Sequence, residues 1–326
     1  MRVEWISRNG EYVRITDITD AVSIVRWGGS KFQAARTAEV TVIYASDDPE
    51  AVKLNLNIGA GDFMKLHEGD ENIFIGEVLT AEKLSQNGTV VYSCADLLIH
   101  LLNSTGKYNF ADTTAENITR KVCADFGIKT GTIAESRVPI QKMIVEGTSI
   151  YDIIMQAYAK ASKQTGNLYI CRMYGTTLYV EVKGTVVDGF VLAEEYNITN
   201  STYQETIENM VNVVKIYDDT GKQVGEVRRD EWIAQYGIFQ QIYKKESGIN
   251  EVVAAENMLV GIEKKVSIDG IDGNLKCIAG NAVEVQDSAT GLRGVFWIDA
   301  DSHTWENGTH VMNLDLNYKN LMDSRG

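Results

Sequence analysis

Apolar and polar positions alternate with period two along much of this chain. Residues 39–44 (E-V-T-V-I-Y) and 51–58 (A-V-K-L-N-L-N-I) are clear cases, the second placing Leu54, Leu56 and Ile58 on one face. β-Branched runs at 11–16 and 21–27, with further runs at 72–79 and 89–95, give about six predicted strands within residues 1–103. Asn9-Gly10 and Asn87-Gly88 are dipeptides that suit the positive backbone angles of a type I′ hairpin turn. Many short strands between tight turns predict a barrel or sandwich.

The period changes at residue 104. Thr113 and Glu116 read as a capping box before a helix whose apolar face is Ala115, Ile118, Val122 and Phe126, with Gly127 ending it. Ser149 precedes a second helix, with Ile150, Ile153, Ile154, Ala157, Tyr158 and Ala161 on one stripe and Gly166 closing it. A hairpin turning at Gly175 follows. Residues 104–185 therefore form a small α+β segment. Residues 186–326 return to strands: a hairpin over 208–229 turning at Asp219-Thr220-Gly221, then strands at 282–286, 294–305 and 310–318, the last pair joined at Asn307-Gly308. One helix, over about 250–265, interrupts them, with Val252, Ala255, Leu259 and Ile262 facing inward. The fold class is α+β, mostly β, with boundaries near 103 and 185.

Composition sharpens this. Of the 326 residues 44% are apolar and 23% charged, which fits folded domains rather than a disordered chain. No run of about 18 apolar residues is present, so no membrane insertion is expected. The net charge is −14, carried unevenly: residues 1–105 hold 9 basic and 15 acidic groups, residues 106–185 hold 10 and 7, and residues 186–326 hold 12 and 23. An acidic surface repels phosphates, so stable nucleic-acid binding is not expected. The four cysteines lie far apart in apolar runs without a C-x-x-C pair and read as buried, reduced thiols. The first residues do not form a signal peptide, and the N-x-S/T sequons then mark turns rather than glycans.

Candidate chemistry is sparse. Asp299, Asp301 and His303 share one strand parity, and His310 opens the partner strand, so alternation could gather a metal or hydrolytic cluster. Spacings such as H-E-x-x-H are missing. Gly59-Ala60-Gly61-Asp62 reads as a tight turn, since no third glycine or βαβ unit accompanies it. No catalytic residue, metal or cofactor is assigned. Trp27, Gly28 and Gly29, followed by Phe32 and Arg36, place an aromatic at a strand end before a glycine-bearing loop, a candidate docking interface.

Several stretches occur in an order that resembles a known family: V-S-I-V-R-W-G-G-S at 22–30, A-A-R-T-A-E-V at 34–40, G-D-F-M-K-L-H-E-G at 61–69, I-F-I-G-E-V at 73–78 and Y-S-C-A-D-L-L at 92–98. I-T-R-K-V-C-A-D-F-G-I at 118–128, S-I-Y-D-I-I-M-Q-A-Y at 149–158, F-Q-Q-I-Y-K-K-E at 239–246 and F-W-I-D-A-D-S-H-T-W at 296–305 continue it. The chain resembles the baseplate hub proteins of contractile phage tails, the XkdQ/YqbQ-like late-control group of PBSX-like prophages and R-type bacteriocins. The resemblance implies a structural, non-enzymatic hub. Two tail-tube-like β-barrels, residues 1–103 and 186–326, would flank the α+β segment, and a homotrimer would form a pseudo-sixfold ring. That ring would join the sixfold tail tube protein to the threefold central spike protein. Other baseplate proteins, with the tape measure a further candidate, would be its neighbours in a virion or tailocin particle assembled in the bacterial cytoplasm. The hub-like segments span the 326 residues, leaving no length for an added lysozyme or peptidase domain. The alternative is a tail-tip cell-wall hydrolase using Asp299, Asp301, His303 and His310.

Overall fold

The computed structural model describes residues 1–9, 12–31, 33–43, 56–84, 88–245 and 250–323. These residues are mostly β and divide into two compact units. The first comprises Met1–Ser201 and Ser267–Gly326, and the second Thr202–Val266.

The first unit opens with β1 (Arg2–Asn9), β2 (Tyr12–Asp17), β3 (Val22–Ser30), β4 (Gln33–Ile43), β5 (Phe63–Glu68), β6 (Glu71–Leu84) and β7 (Thr89–Asp96). Helix α1 (Leu98–Asn103), β8 (Thr105–Thr113), α2 (Ala115–Asp125), β9 (Lys129–Ile133), β10 (Ile140–Ser149) and α3 (Ile150–Thr165) follow. Next come β11 (Tyr169–Tyr174), β12 (Thr177–Val182) and β13 (Val186–Ala193), and β14 (Asn200–Thr206) begins at the end of this segment and continues into the second unit. The second unit contains β15 (Val213–Tyr217), β16 (Gln223–Arg228), α4 (Asp230–Tyr236), β17 (Gln240–Lys244) and α5 (Glu251–Asn257). The chain returns through β18 (Glu263–Asp272) to β19 (Ala282–Asp287), β20 (Leu292–Glu306) and β21 (Thr309–Asn317).

One sheet organises the first unit, in the order β18-β21-β20-β3-β4-β7-β6-β5-β1-β2, with β19 also on β20 and β13 on β19. Two separate tube-like barrels were expected from the β-rich ends. Instead β3 pairs antiparallel with β20, Trp27 opposite His303 and Gly29 opposite Asp301, so both ends share one sheet and no barrel closes among the described residues. Alternation dictates which face a strand buries, not which strand it meets. At 15 residues β20 is long enough to pair with β19 over its first half and with β3 over its second. A register shift between Ile298 and Ala300 separates the halves.

Between these ends, α1, α2 and α3 pack with the β8–β10 pair and the β11-β12-β9 sheet around a continuous apolar core. The α3 stripe is buried as expected, Ser149 Oγ accepts from Asp152 N at 3.0 Å, and Gly166 takes the left-handed conformation (φ 74°) that ends the helix. The capping box ahead of α2 is not formed. Thr113 ends β8, Thr114 occupies the cap position without a side-chain bond, and Glu116 instead accepts from Ser136 and Arg137. Phe126 lies beyond α2 at 39% exposure rather than on its buried face.

In the second unit β15 sits between β16 (antiparallel) and β17 (parallel), with α5 placing Ala255 against Val214 and Ile216. The helix expected over 250–265 stops at Asn257. Val260 forms a bridge with Val211, and the β-branched segment after Gly261 continues as β18, leaving Val252 and Ile262 exposed. Of the strand expected at 51–58, residues 51–55 lie outside the described residues. Leu56 to Ile58 pair with no strand, although Ile58 is buried.

Candidate functional site

The two residue sets singled out in the sequence meet at the β3–β20 junction. Trp27 and His303 are register partners, both buried, with rings 5.1 Å apart. Asp301 is fully buried on the same face. Its carboxylate accepts from both terminal nitrogens of Arg36, Nη1 at 2.9 Å, and from the backbone N–H of Ala279 at 2.6 Å. The Arg36 guanidinium lies over the Trp27 ring, 3.9 Å from its centroid, and covers Gly29. Arg36 also donates its backbone N–H to Asp96, whose other oxygen accepts from Leu98 N at the start of α1. Burial pushes the Asp96 carboxyl up to about 7.

Gly28 has a steric role. A Cβ there would lie 2.5 Å from the Asp301 carbonyl oxygen, so the close approach of β3 to β20 needs a residue without a side chain. Gly28, Gly29 and Arg36 are half-buried, Trp27 is buried, and Phe32 lies outside the described residues.

Burial favours the neutral rings of His303 and His310. His303 Nε2 lies 3.3 Å from the Cys277 carbonyl and donates to it, leaving Nδ1 to accept from His310 Nε2 at 3.0 Å. Burial lowers His303 to about 4, against the opposing pull of Asp301, and burial also lowers His310. His310 stacks on Trp305 with ring centroids 4.0 Å apart. Asp299 does not join this group: the register shift at 298–300 turns it towards Lys31 and Asn317, which both donate to it. Asp301 thus binds Arg36 of β4 and the Ala279 N–H, His303 packs on Trp27 of β3, and among the described residues no group of three or more His, Cys, Asp or Glu is arranged to hold a metal. The cysteines are buried and unpaired. Burial pushes Cys94, Cys123 and Cys277 up to about 12. No helix among the described residues is long and apolar enough to cross a membrane.

Sequence reasoning missed that Arg36 and Asp301 are partners, and it missed the role of Asp96. The usable signal was parity: Asp301 shares its strand face with Trp305, so it points inward and must find a cation.

The β3–β20 frame, from Val25 onward, lies inside the segment recognised by comparison. A family model described as YQBQ-like matches residues 25–317. The chain belongs to the YQBQ-like family. This YQBQ-like chain is 23% identical over 303 residues to the phage-like element PBSX protein XkdQ of Bacillus subtilis strain 168, covering 90% of this chain and 91% of XkdQ. It is 24% identical over 315 residues to the YqbQ protein of the same organism, covering 93% of each. Its fold is shared with the 43 kDa tail protein of prophage MuSo2 from Shewanella oneidensis, at TM-score 0.66 and 15% identity, covering 97% of this chain and 98% of that one.

Proposed function

We propose that this YQBQ-like chain is a structural hub of a phage-type tail baseplate, a homotrimeric adaptor between the tail tube protein and the central spike protein. The observation that carries the reading is the near end-to-end likeness, in sequence to a PBSX phage element protein and in fold to a prophage tail protein. A local motif shared across different proteins would not extend through both chains. The continuous sheet suits the role, because a hub must hold its shape between two neighbours and long sheets with buried cross-links are stiff elements. In this reading three copies form a ring, other baseplate proteins and the tape measure adjoin it, and the particle is assembled in the bacterial cytoplasm. Acidic surface facing a channel would keep a passing nucleic acid from binding.

The role is architectural. Asp301 on β20 binds Arg36 on β4, and His303 packs on Trp27 of β3, so Trp27 serves the chain's own core, while Gly28, Gly29, Phe32 and Arg36 remain the surface this reading offers to a neighbour. The test is co-expression with the tube and spike proteins of the same tail cluster, followed by light scattering and electron microscopy. Three copies per hub, located between tube and spike, are expected. Particles that assemble without the chain overturn the reading, as does clearing of purified cell walls that is abolished by His303→Ala.

A further inference from the structure

A groove of about 440 Å³ opens in the first unit where the large sheet meets the α+β segment. β1 contributes Ile6, β5 Phe63 and β6 Ile75, while Leu97 ahead of α1, and Phe126 and Ile128 beyond α2, complete its apolar lining. Phe126 was expected inside the α+β core, yet it lines this groove at 39% exposure. Apolar side chains gathered at a surface and rimmed by polar groups mark an interaction site.

The polar groups of the groove indicate what it takes. Arg8, His100, Ser104 and Thr176 line it, and no Asp or Glu does. His100 already has a carboxylate, with Nε2 2.9 Å from Glu77. Arg8 meets none among the described residues: its guanidinium lies over the Phe63 ring, 4.2 Å from the centroid. Stacking fixes the guanidinium plane and leaves its N–H edge to donate. A carboxylate accepts from such an edge through two parallel bonds. The complement of this surface is therefore an acid next to an apolar group, in a chain of net −14 whose own acids stay out of the groove.

The groove is open to solvent, since Arg8, Phe126 and Thr176 are exposed and the His100 side chain is 50% exposed. A small molecule is ordinarily buried over most of its surface in its site. An open groove suits one side chain of a polypeptide that continues past it. We propose that this groove binds a partner protein through a segment carrying an apolar side chain beside an acidic one. The apolar side chain packs against Phe126 and Ile75, and the carboxylate takes the edge of Arg8. The inference goes beyond the adaptor reading and does not depend on it.

The test is selection of displayed random peptides on the full-length chain, followed by calorimetry with synthetic peptides of the enriched sequences. Enrichment of peptides with an apolar residue beside Asp or Glu is expected. Arg8→Glu should weaken them about tenfold and enrich peptides carrying Lys or Arg instead. Phe126→Ser should weaken them while keeping the preference for acids. Both side chains are exposed, and thermal melting checks that each variant folds. No enrichment of this kind overturns the proposal, as do peptides that bind Arg8→Glu as tightly as wild type. Binding of 3-phenylpropanoate as tight as that of the peptides overturns the polypeptide occupant. A failed selection leaves the adaptor reading standing, since assembly with tube and spike decides that separately.

Discussion

Replacing Arg36 by Met is the sharpest probe of the frame, because it removes a cation and leaves most of the side-chain volume. Asp301 would keep the Ala279 N–H and lose both guanidinium bonds while fully buried. Breaking a buried pair from one side costs about 3–5 kcal/mol, since an uncompensated charge remains. Loss of the cation–π contact with Trp27 adds about 0.5–2 kcal/mol. A total of roughly 3.5–7 kcal/mol is expected, read as the shift in urea unfolding followed by tryptophan fluorescence. Asp301→Leu should cost about as much, by stranding Arg36. The double variant should be far less damaged than the two singles added together, because replacing both partners by apolar groups is often close to neutral. Singles that cost under about 1 kcal/mol, or a double variant equal to their sum, would refute the claim that this pair braces β4 and β20 across β3.

Gly28→Ala should destabilise by about 1–3 kcal/mol, as its Cβ would meet the Asp301 carbonyl at 2.5 Å; a melting temperature equal to wild type contradicts the close approach. Ser149→Ala should cost about 1 kcal/mol through loss of the bond from Asp152 N, measurable by urea titration, and an unchanged midpoint counts against the cap. The pH profile should be flatter than either buried group would give alone. His303, lowered from 6.5 to about 4 by burial, contributes stability that is present above pH 6.5 and lost as pH falls through 4. Asp96, raised from 3.8 to about 7, contributes stability that is present below pH 3.8 and lost as pH rises through 7. Asp96→Asn removes the second term, so its stability should fall more steeply than that of wild type between pH 6.5 and 4; equal slopes overturn the assignment.

Local structure was legible where a residue type forces a local conformation. Asn307-Gly308 adopts positive φ at both positions (52° and 78°), and the α3 stripe, its Ser149 cap and its Gly166 stop all follow from spacing alone. The pairing of β3 with β20 was not legible, because nothing in either strand encodes a partner 276 positions away, as His303 is from Trp27 (303 − 27). The register shift at 298–300 had a similar effect. It broke the parity that placed Asp299 beside Asp301, so one expected cluster became two separate attachments. The capping box failed for a different reason: β8 extends through Thr113, its ladder with β10 ending at Thr113 opposite Ile140, and tertiary pairing outweighs a local cap.

The junction also sets the timing of folding. Trp27 and its register partner His303 are 276 positions apart (303 − 27), so at synthesis rates of roughly 5–20 residues per second the outer edge of β3 waits about 14–55 s for its partner. During that interval Trp27 is made and β4 can pair on one side, but the other side is an open template. Loop closure over such a span has to precede its reward, which makes the last strands rate-limiting. A ribosome stalled before β20 would release a chain with that edge exposed, prone to pair with its neighbours. Yield of soluble protein should therefore depend on how promptly residues 292–306 arrive, more than on any property of the strands that wait for them.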